Sequence, residues 1–121
     1  MSILSHLGGI TEIGKHKTMI TKFGNSIAVI FHSTVIVEIK KNDGVKNRSG
    51  SDLVPLTVKL DSGGYRTQTT KLRINQTSRE YNLGFKVYQK QKNWYVELST
   101  GQVYDFYDDM EIKTLGNWRE I

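Results

Sequence analysis

The segment Ser26-Ile-Ala-Val-Ile-Phe-His32 is followed, after a single residue, by Thr34-Val-Ile-Val-Glu-Ile39. Both segments are rich in β-branched residues, which are enriched in strands, and turn-forming residues flank them. The pattern therefore predicts two β-strands. Their nearly continuous apolar character indicates burial on both faces, in a barrel, in a covered sheet or against another subunit. We assign no element to the polar, glycine-containing stretch before Ser26.

A third strand and then a helix follow along the chain. Leu53–Leu60 alternates apolar and polar residues after the chain's single proline, which predicts a half-buried strand. From residue 69 to 82 the period changes, and the residues of one helical stripe lie at positions i, i+4, i+7 and i+11. These residues are Thr70, Ile74, Thr77 and Tyr81. We predict one helix over about 69–82, with Thr69 or Thr70 as its N-cap and Gly84 as its C′ residue.

Aromatic and β-branched residues return after the helix and predict an antiparallel meander. Its strands are expected at 85–90, 94–98 and 102–106, with a last short strand at 110–113. The fold class is therefore α+β, a mainly antiparallel curved sheet or half-barrel that carries one helix. We expect a single domain over residues 1–121, with flexible residues 1–12, a long polar loop at 41–52 and a short tail at 115–121.

Composition narrows the possible classes of protein. The chain has 121 residues, 37% of them hydrophobic, enough for one modest core and too few for two domains. It contains no cysteine, which excludes disulfides, thiolate metal sites and cysteine nucleophiles. No apolar run approaches the roughly 20 residues that cross a bilayer, so we expect no membrane span. The first 12 residues do not resemble a signal peptide.

Charge is distributed unevenly along the chain. The formal net charge is +5, and residues 59–92 hold eight basic residues against two acidic ones. From residue 93 to 121 the balance reverses, with six acidic residues against two basic ones. A basic middle suggests an anionic partner. The acidic end and the basic middle can also meet, either within one chain or across a subunit interface.

Signatures of catalysis are largely missing from the sequence. It has three histidines, His6, His16 and His32, and neither a nucleophile elbow nor a phosphate loop of the Walker type. His32 ends an apolar strand, where a hydrogen-bonded structural role is expected rather than that of a catalytic base. The acidic cluster of Asp105, Asp108, Asp109 and Glu111 can hold a divalent cation or form a solvated edge, and its spacing matches no Ca²⁺ loop. We expect no enzyme, cofactor or metal.

The segment Ser62-Gly-Gly-Tyr-Arg-Thr-Gln-Thr-Thr-Lys-Leu-Arg-Ile-Asn-Gln76 is the candidate binding site. Glycines let main-chain amides approach a ligand, and the start of a helix offers oriented N–H donors to a phosphate. Hydroxyl, amide and cationic side chains would complete the site. The predicted phosphate-binding residues are Ser62, Gly63, Gly64, Arg66, Thr69, Thr70, Lys71, Arg73 and Asn75. The alternative interpretation is an ordinary turn followed by a capped, solvated helix.

Aromatic residues interleave with lysines in the second half of the chain, a combination that can stack bases over a basic groove. The candidates for stacking are Tyr65, Tyr88 and Trp94. Strand alternation prevents all of the aromatic residues from sharing one face. Nucleic-acid binding is therefore an alternative to a small ligand, without a motif that supports it.

Three stretches carry a resemblance to a known family. They are Gly24 to Val35, Val58 to Gln76, and Tyr81 to Lys90 with Trp94. In these stretches the sequence resembles a family of small bacteriophage proteins of unassigned function. The specific part of the resemblance is the string Ser-Gly-Gly-aromatic-x-Thr-x-Thr-Thr-Lys-x-Arg. The resemblance implies a phage origin, and with it the cytoplasm of the infected bacterial host as the place of action.

These observations together predict a non-enzymatic phage protein that binds a phosphorylated small ligand through Ser62 to Gln76. A nucleotide is favoured over nucleic acid, and a cyclic nucleotide used as a host immune signal is one candidate, because its sequestration requires affinity and no chemistry. The alternatives are a nucleic-acid-binding accessory protein and a structural or interaction protein that acts through the apolar β-hairpin. We also expect a homo-oligomer.

Overall fold

The computed structural model describes residues 18–42 and 53–118. In chain order they form β1 (Thr18–Phe23), β2 (Ser26–Phe31), β3 (Thr34–Lys41), β4 (Val54–Leu60), α1 (Gln68–Glu80), β5 (Phe85–Lys90), β6 (Asn93–Leu98), β7 (Val103–Asp105) and β8 (Met110–Gly116). The predicted α+β class, mainly antiparallel with one helix, is confirmed for these residues. The predicted flexible segment 1–12 and residues 43–52 of the predicted loop lie outside them.

Two antiparallel sheets build the fold. The larger sheet has the strand order β1-β2-β3-β4-β8, and the smaller has the order β5-β6-β7. Ile27, Ala28 and Val29 of β2 are all fully buried, although neighbouring residues of a strand point to opposite faces. Ile36 and Val37 of β3 are fully buried as well. Burial on both faces is therefore confirmed for Ile27–Val29 and for Ile36 and Val37, whereas Val35, nearer the turn, is 39% exposed.

Strand β1 was not predicted from the sequence. It pairs with β2 from Thr18 opposite Phe31 to Phe23 opposite Ser26. Ile20 is fully buried while Met19 is half exposed, so the strand has the alternation of an element with one covered face. The polar residues of β1 obscure this alternation in the sequence. The segment is a strand because it pairs with the strongly apolar β2.

The helix begins earlier than predicted. Thr67 is the N-cap, with extended backbone, and its hydroxyl oxygen accepts a hydrogen bond of 3.2 Å from the amide of Thr70. Neither Thr69 nor Thr70 is the cap, because both already have helical backbone. The predicted buried stripe is confirmed, since Thr70, Ile74, Thr77 and Tyr81 are each fully buried.

The helix also ends before the predicted Gly84. Tyr81 is the C-cap and Asn82 has a positive φ of 53°. The amide of Leu83 donates to the carbonyl of Ser78 at 2.9 Å, and the amide of Asn82 donates to the carbonyl of Arg79 at 3.3 Å. These two bonds form a Schellman motif, in which asparagine takes the left-handed position that glycine usually occupies.

Side chains of α1 satisfy the main chain of β5 along its outer edge. Asn75 Nδ2 donates to the carbonyl of Val87 and Asn75 Oδ1 accepts from the amide of Val87, both at 2.8 Å. The Ser78 hydroxyl makes the same pair of contacts with Phe85, at 2.6 and 3.3 Å. An edge strand exposes the main-chain groups of alternate residues, and here the helix covers them. We call these four bonds the helix clip.

The carboxyl end of the described chain also belongs to the fold. β8 pairs with β4 from Met110 opposite Leu60 to Gly116 opposite Val54, so residues 115 and 116 are strand rather than the start of a tail. Beyond it the amide of Asn117 donates to the carbonyl of Tyr81 at 2.8 Å, and Trp118 is buried. Burial of Trp118 and the bond to the helix end order this segment. Residues 119–121 of the predicted tail lie outside the described part.

No helix in the described part of the chain is both long and apolar enough to cross a membrane.

Gly116 gives a test of the packing between the larger sheet and the end of α1. A Cβ at this position would lie 2.7 Å from Leu83 Cδ2, 2.8 Å from Leu56 Cδ1 and 2.9 Å from the carbonyl oxygen of Tyr81. Gly116→Ala is therefore expected to lower the free energy of unfolding by roughly 1–3 kcal/mol through overpacking. Urea denaturation measures the change. The exposed Lys113→Ala, on the same strand, should stay within about 0.5 kcal/mol of wild type, and equal stability of both variants would contradict the assigned packing.

Candidate functional site

The loop between β4 and α1 is held in place by its own hydrogen bonds. The amide and the hydroxyl of Ser62 both donate to Asp108 Oδ1, at 2.8 and 2.7 Å. The amide of Gly63 donates to Asp61 Oδ1 at 2.6 Å, and the amide of Gly64 donates to the Ser62 hydroxyl at 3.2 Å. The glycine amides that the sequence assigned to a phosphate thus bind the loop's own side chains.

Gly63 brings this loop against the turn between β2 and β3. Its φ is +65°, and a Cβ here would lie only 2.8 Å from Thr34 Cγ2 and closer still to Thr34 Oγ1. Both the backbone conformation and the close approach require glycine. The sequence assigned Gly63 to close contact with a ligand, whereas the structure places that close contact within the chain.

A groove of about 600 Å³ opens between the β2–β3 turn and the loop that leads into α1. One wall comes from the end of β2 and the turn, and the other comes from the loop and the first residues of the helix. Its described lining residues are Phe31, His32, Ser33, Thr34, Ser62, Tyr65, Thr67 and Thr69. The groove therefore combines three aromatic rings with five serine and threonine hydroxyls. Of the predicted binding residues it contains Ser62, Thr69 and Tyr65.

Five groove residues were not predicted to bind a ligand. One is Thr67, and the other four lie at the β2–β3 turn, which is distant from the loop in sequence: Phe31, His32, Ser33 and Thr34. The register of the β2–β3 hairpin brings these four to the groove. His32 lies in the turn with a φ of 58°, exposed, its ring 4.4 Å from that of Phe31 in an edge-on arrangement. An exposed turn histidine differs from the structural histidine expected at a strand end.

The amino end of α1 opens into the groove, since Thr67 and Thr69 both line it. The two predicted threonines have different roles. Thr70 is fully buried, and its hydroxyl donates to the carbonyl of Tyr65 at 3.1 Å, so it holds the loop. Thr69 is half-buried and faces the groove, where its hydroxyl can bind a ligand.

The predicted cations lie outside the groove. Arg66 is exposed, and its guanidinium carbon lies 5.7 Å from the ring centre of Trp94 and 5.2 Å from that of Phe106. Lys71 Nζ lies 5.5 Å from the same Trp94 ring and donates to Gln89 Oε1 at 3.1 Å. Trp94 is only 3% exposed beneath them. Its buried ring is therefore unable to stack a base as the sequence predicted.

Two further predicted residues serve the fold. Arg73 is 4% exposed, and its Nη1 donates to Gln76 Oε1 at 3.0 Å. Asn75 belongs to the helix clip and binds the main chain of Val87. Neither residue lines the groove. A polar helix residue looks the same in the sequence whether it binds a ligand or a neighbouring strand, which explains why both were assigned to the site.

Parts of the acidic cluster also have structural contacts. Asp108 accepts both bonds from Ser62, and Asp109 Oδ1 lies 3.6 Å from Lys59 Nζ. Glu111 lies opposite Lys59 in the register of β4 and β8. Among residues 18–42 and 53–118, no three acidic or histidine side chains come together in a way that could hold a metal ion.

The electrostatics of the groove follow from its lining. None of the eight described lining residues is lysine or arginine. The first turn of α1 contains no acidic residue, so its amide dipoles present a partial positive charge that no side chain of that turn opposes. The groove is thus suited to an anion of low charge, held by amides and hydroxyls.

Comparison with families of proteins identifies the class of protein first and then the family. Residues 7–113 match the family described as Kyanoviridae Gp96 protein, a family of phage proteins. The protein is therefore a phage protein, and the chain belongs to the Kyanoviridae Gp96 protein family. Comparison with the curated proteins and with the solved structures gives no match.

Asn75 separates a structural role from a ligand-binding role. Asn75→Ala leaves the amide and carbonyl of Val87 without their side-chain partner, which is expected to lower the free energy of unfolding by roughly 1–3 kcal/mol. Chemical denaturation followed by circular dichroism measures this loss. Gln68→Ala, at an exposed position of the same helix, is the control and should change stability by less than about 0.5 kcal/mol. An Asn75→Ala protein as stable as the control would contradict the helix clip.

Proposed function

We propose that this phage protein binds a phosphorylated small ligand, a nucleotide, in the groove between the β2–β3 turn and the amino end of α1. The observation that carries the proposal is the meeting of a helix start, two threonine hydroxyls and exposed aromatic rings in one groove. Its volume of about 600 Å³ lies within the range of roughly 300–1,000 Å³ of small-molecule sites.

The phosphate would bind at the helix end of the groove. Amides in the first turn of a helix point beyond its amino end and carry a partial positive charge, which makes them donors for a phosphate oxygen. Because the Thr70 amide already donates to the Thr67 hydroxyl, the amides of Gln68 and Thr69 would be the donors. The Thr69 hydroxyl adds a donor on the same side. Thr67 caps the helix, and this fixes the direction of the amides.

The base would bind to the aromatic part of the groove. Tyr65 is 69% exposed, and it lines the groove together with His32 and Phe31. Stacking of a base on an aromatic ring contributes about 1–3 kcal/mol. Because every base has a flat aromatic face, stacking fixes the orientation of the nucleotide without selecting one base.

The charge of the groove favours a phosphodiester over a polyphosphate. A lining of amides and hydroxyls compensates a single negative charge better than several. A cyclic nucleotide carries one negative charge on each phosphodiester group. We therefore propose a cyclic nucleotide as the ligand and its sequestration from the immune response of the host as the function, acting in the cytoplasm of the infected bacterium. Retention of such a signal requires no catalytic group.

A second candidate function is association with a further copy of the chain. Met19 of β1 and Val35 of β3 both pair with Ile30 of β2, which places the three side chains in one row across the sheet. Met19 is 51% exposed and Val35 is 39% exposed. An apolar row on an outer sheet surface favours a homo-oligomer in which the row of one chain packs on that of another.

Isothermal titration calorimetry with cyclic mono- and dinucleotides tests whether the groove binds them. Tyr65→Ala is expected to weaken binding by roughly 5- to 150-fold, the range that a lost stacking contact gives. Thr69→Val keeps the side-chain shape and removes the hydroxyl, and a further loss of about tenfold is expected from the missing bond to a charged oxygen. Because none of the described lining residues is lysine or arginine, affinity should fall only mildly with salt.

The control for this experiment is Tyr107→Ala, which removes a tyrosine that is 59% exposed and is not among the described lining residues of the groove. It should bind as wild type does. Native mass spectrometry of protein from infected cells should show a nucleotide that is released on denaturation, and it gives the oligomeric state at the same time. If wild-type protein binds no nucleotide, or if Tyr65→Ala and Thr69→Val bind as well as Tyr107→Ala, the proposed function is wrong. A monomer would exclude the homo-oligomer alone.

A further inference from the structure

The smaller sheet has one face that packs into the core and one that points away from it. Phe85 and Val87 of β5 and Val96 of β6 are buried, so the alternate residues between them point to the other side. The outer face includes Lys86, Tyr88, Lys90, Tyr95, Glu97 and Asp105, with Asn93 and Val103 at its margins. We call it the tyrosine face, and it shares no residue with the groove.

A pair of tyrosines occupies the middle of the tyrosine face. Tyr88 and Tyr95 are directly opposite in the register of β5 and β6. Their ring centres are 5.6 Å apart with an angle of 32° between the planes, and both side chains are half-buried. The two rings thus form a platform that leaves part of each aromatic surface accessible to a further flat ring.

Basic side chains line the β5 side of this platform. Lys86 and Lys90 are exposed on either side of Tyr88, about 13 Å apart along the strand. Lys86 Nζ lies 5.9 Å from the ring centre of Tyr88. Lys92 extends the series at the turn, where Gln91 and Lys92 both have positive φ values of 53° and 74°.

A shallow depression continues the basic side toward the helix end. It is lined by both Arg79 and Lys86, and both are exposed. Glu97 also lines the depression, so two cations and one carboxylate meet there. The cations follow β5 from the helix end to the β5–β6 turn. A polyanion that runs along β5 would meet them in succession.

The acidic residues of the face lie on β6 and β7. Glu97 is directly opposite Lys86 and Asp105 is directly opposite Tyr95. Lys86 therefore has a carboxylate as its cross-strand neighbour, with no ring between them. The cations lie on β5 and the carboxylates on β6 and β7, so a strand that follows β5 keeps its phosphates on the positive side of the face.

We propose that the tyrosine face binds single-stranded nucleic acid, with the backbone along β5 and bases stacked on Tyr88 and Tyr95. The two lysines flank Tyr88 along β5, so a backbone held by them places its bases over the Tyr88–Tyr95 pair. A duplex hides its base planes, so only an unpaired strand can use the platform. This site is separate from the groove, so its test does not depend on whether the groove binds a nucleotide.

Fluorescence anisotropy with a labelled ten-residue oligothymidylate, from 20 to 200 mM salt, tests the proposal. Lys86→Gln with Lys90→Gln is expected to weaken binding roughly tenfold and to reduce the slope of log K against log salt by about 1.4, because each lost phosphate contact on a single strand removes about 0.7. The control is Lys40→Gln with Lys113→Gln, which removes the same charge from exposed positions of the larger sheet. That variant should keep the wild-type slope.

The aromatic platform has its own pair of variants. Tyr95→Ala is expected to weaken binding by roughly 5- to 150-fold, whereas Tyr95→Phe keeps the ring and should bind within about twofold of wild type. Denaturation curves show whether Tyr95→Ala still folds. If it does not, the lysine variants test whether the tyrosine face binds the oligonucleotide. An unlabelled duplex of the same length should compete poorly.

Several results would overturn the proposal. One is a wild-type protein that binds no oligothymidylate at 20 mM salt. Another is an equal loss in the two lysine variants, which would show an effect of net charge alone. Folded Tyr95→Ala that binds as wild type does, or a duplex that competes as well as the single strand, would exclude the stacking platform.

Discussion

The helix clip is the interaction on which the arrangement of the molecule depends. Asn75 and Ser78 each bind both main-chain groups of one residue of β5, at Val87 and at Phe85. An uncovered edge strand offers its main chain to any other extended chain, and a helix that occupies it removes this possibility. The clip also explains why α1 is so polar on a side that is not solvated. It fixes the helix relative to the smaller sheet, and hence the position of the helix start beside the β2–β3 turn.

The sequence predicts the fold well where apolar periodicity is strong. The β2–β3 hairpin and the stripe of Thr70, Ile74, Thr77 and Tyr81 are confirmed, because burial of these side chains is a property of the local pattern. β1 was missed, since a polar edge strand is stabilised by its neighbour and carries a weak signal of its own. The N-cap was placed two residues or more too late, because a run of threonines offers several equivalent caps and the loop geometry selects Thr67.

Prediction of the candidate site was less complete, for a physical reason. Polar residues near a helix start were expected to face a ligand, yet Asn75 binds a strand, Arg73 is buried and Thr70 holds the loop. Sequence spacing does not show which main-chain groups lack a partner, and such groups recruit polar side chains first. The other wall of the groove comes from a turn about 30 residues earlier in the chain. That contact depends on the close approach of Gly63 to Thr34, which becomes visible only in the folded chain.

The charged residues of the basic middle and the acidic end have different roles in the folded chain. Within the described residues, part of the acidic end meets the basic middle directly, through Lys59 and Asp109. Arg66 and Lys71 cover the ring of Trp94, so their charge lies over a buried aromatic residue rather than in the groove. The lysines of β5 lie together on an accessible surface, beside two half-buried tyrosine rings. Net charge alone would have assigned one anion-binding site to the whole basic middle. The structure instead separates a groove of hydroxyls and amides from a face of lysines and tyrosines, and the two environments suit anions of different charge: a single phosphodiester in the first and a polyanionic strand on the second.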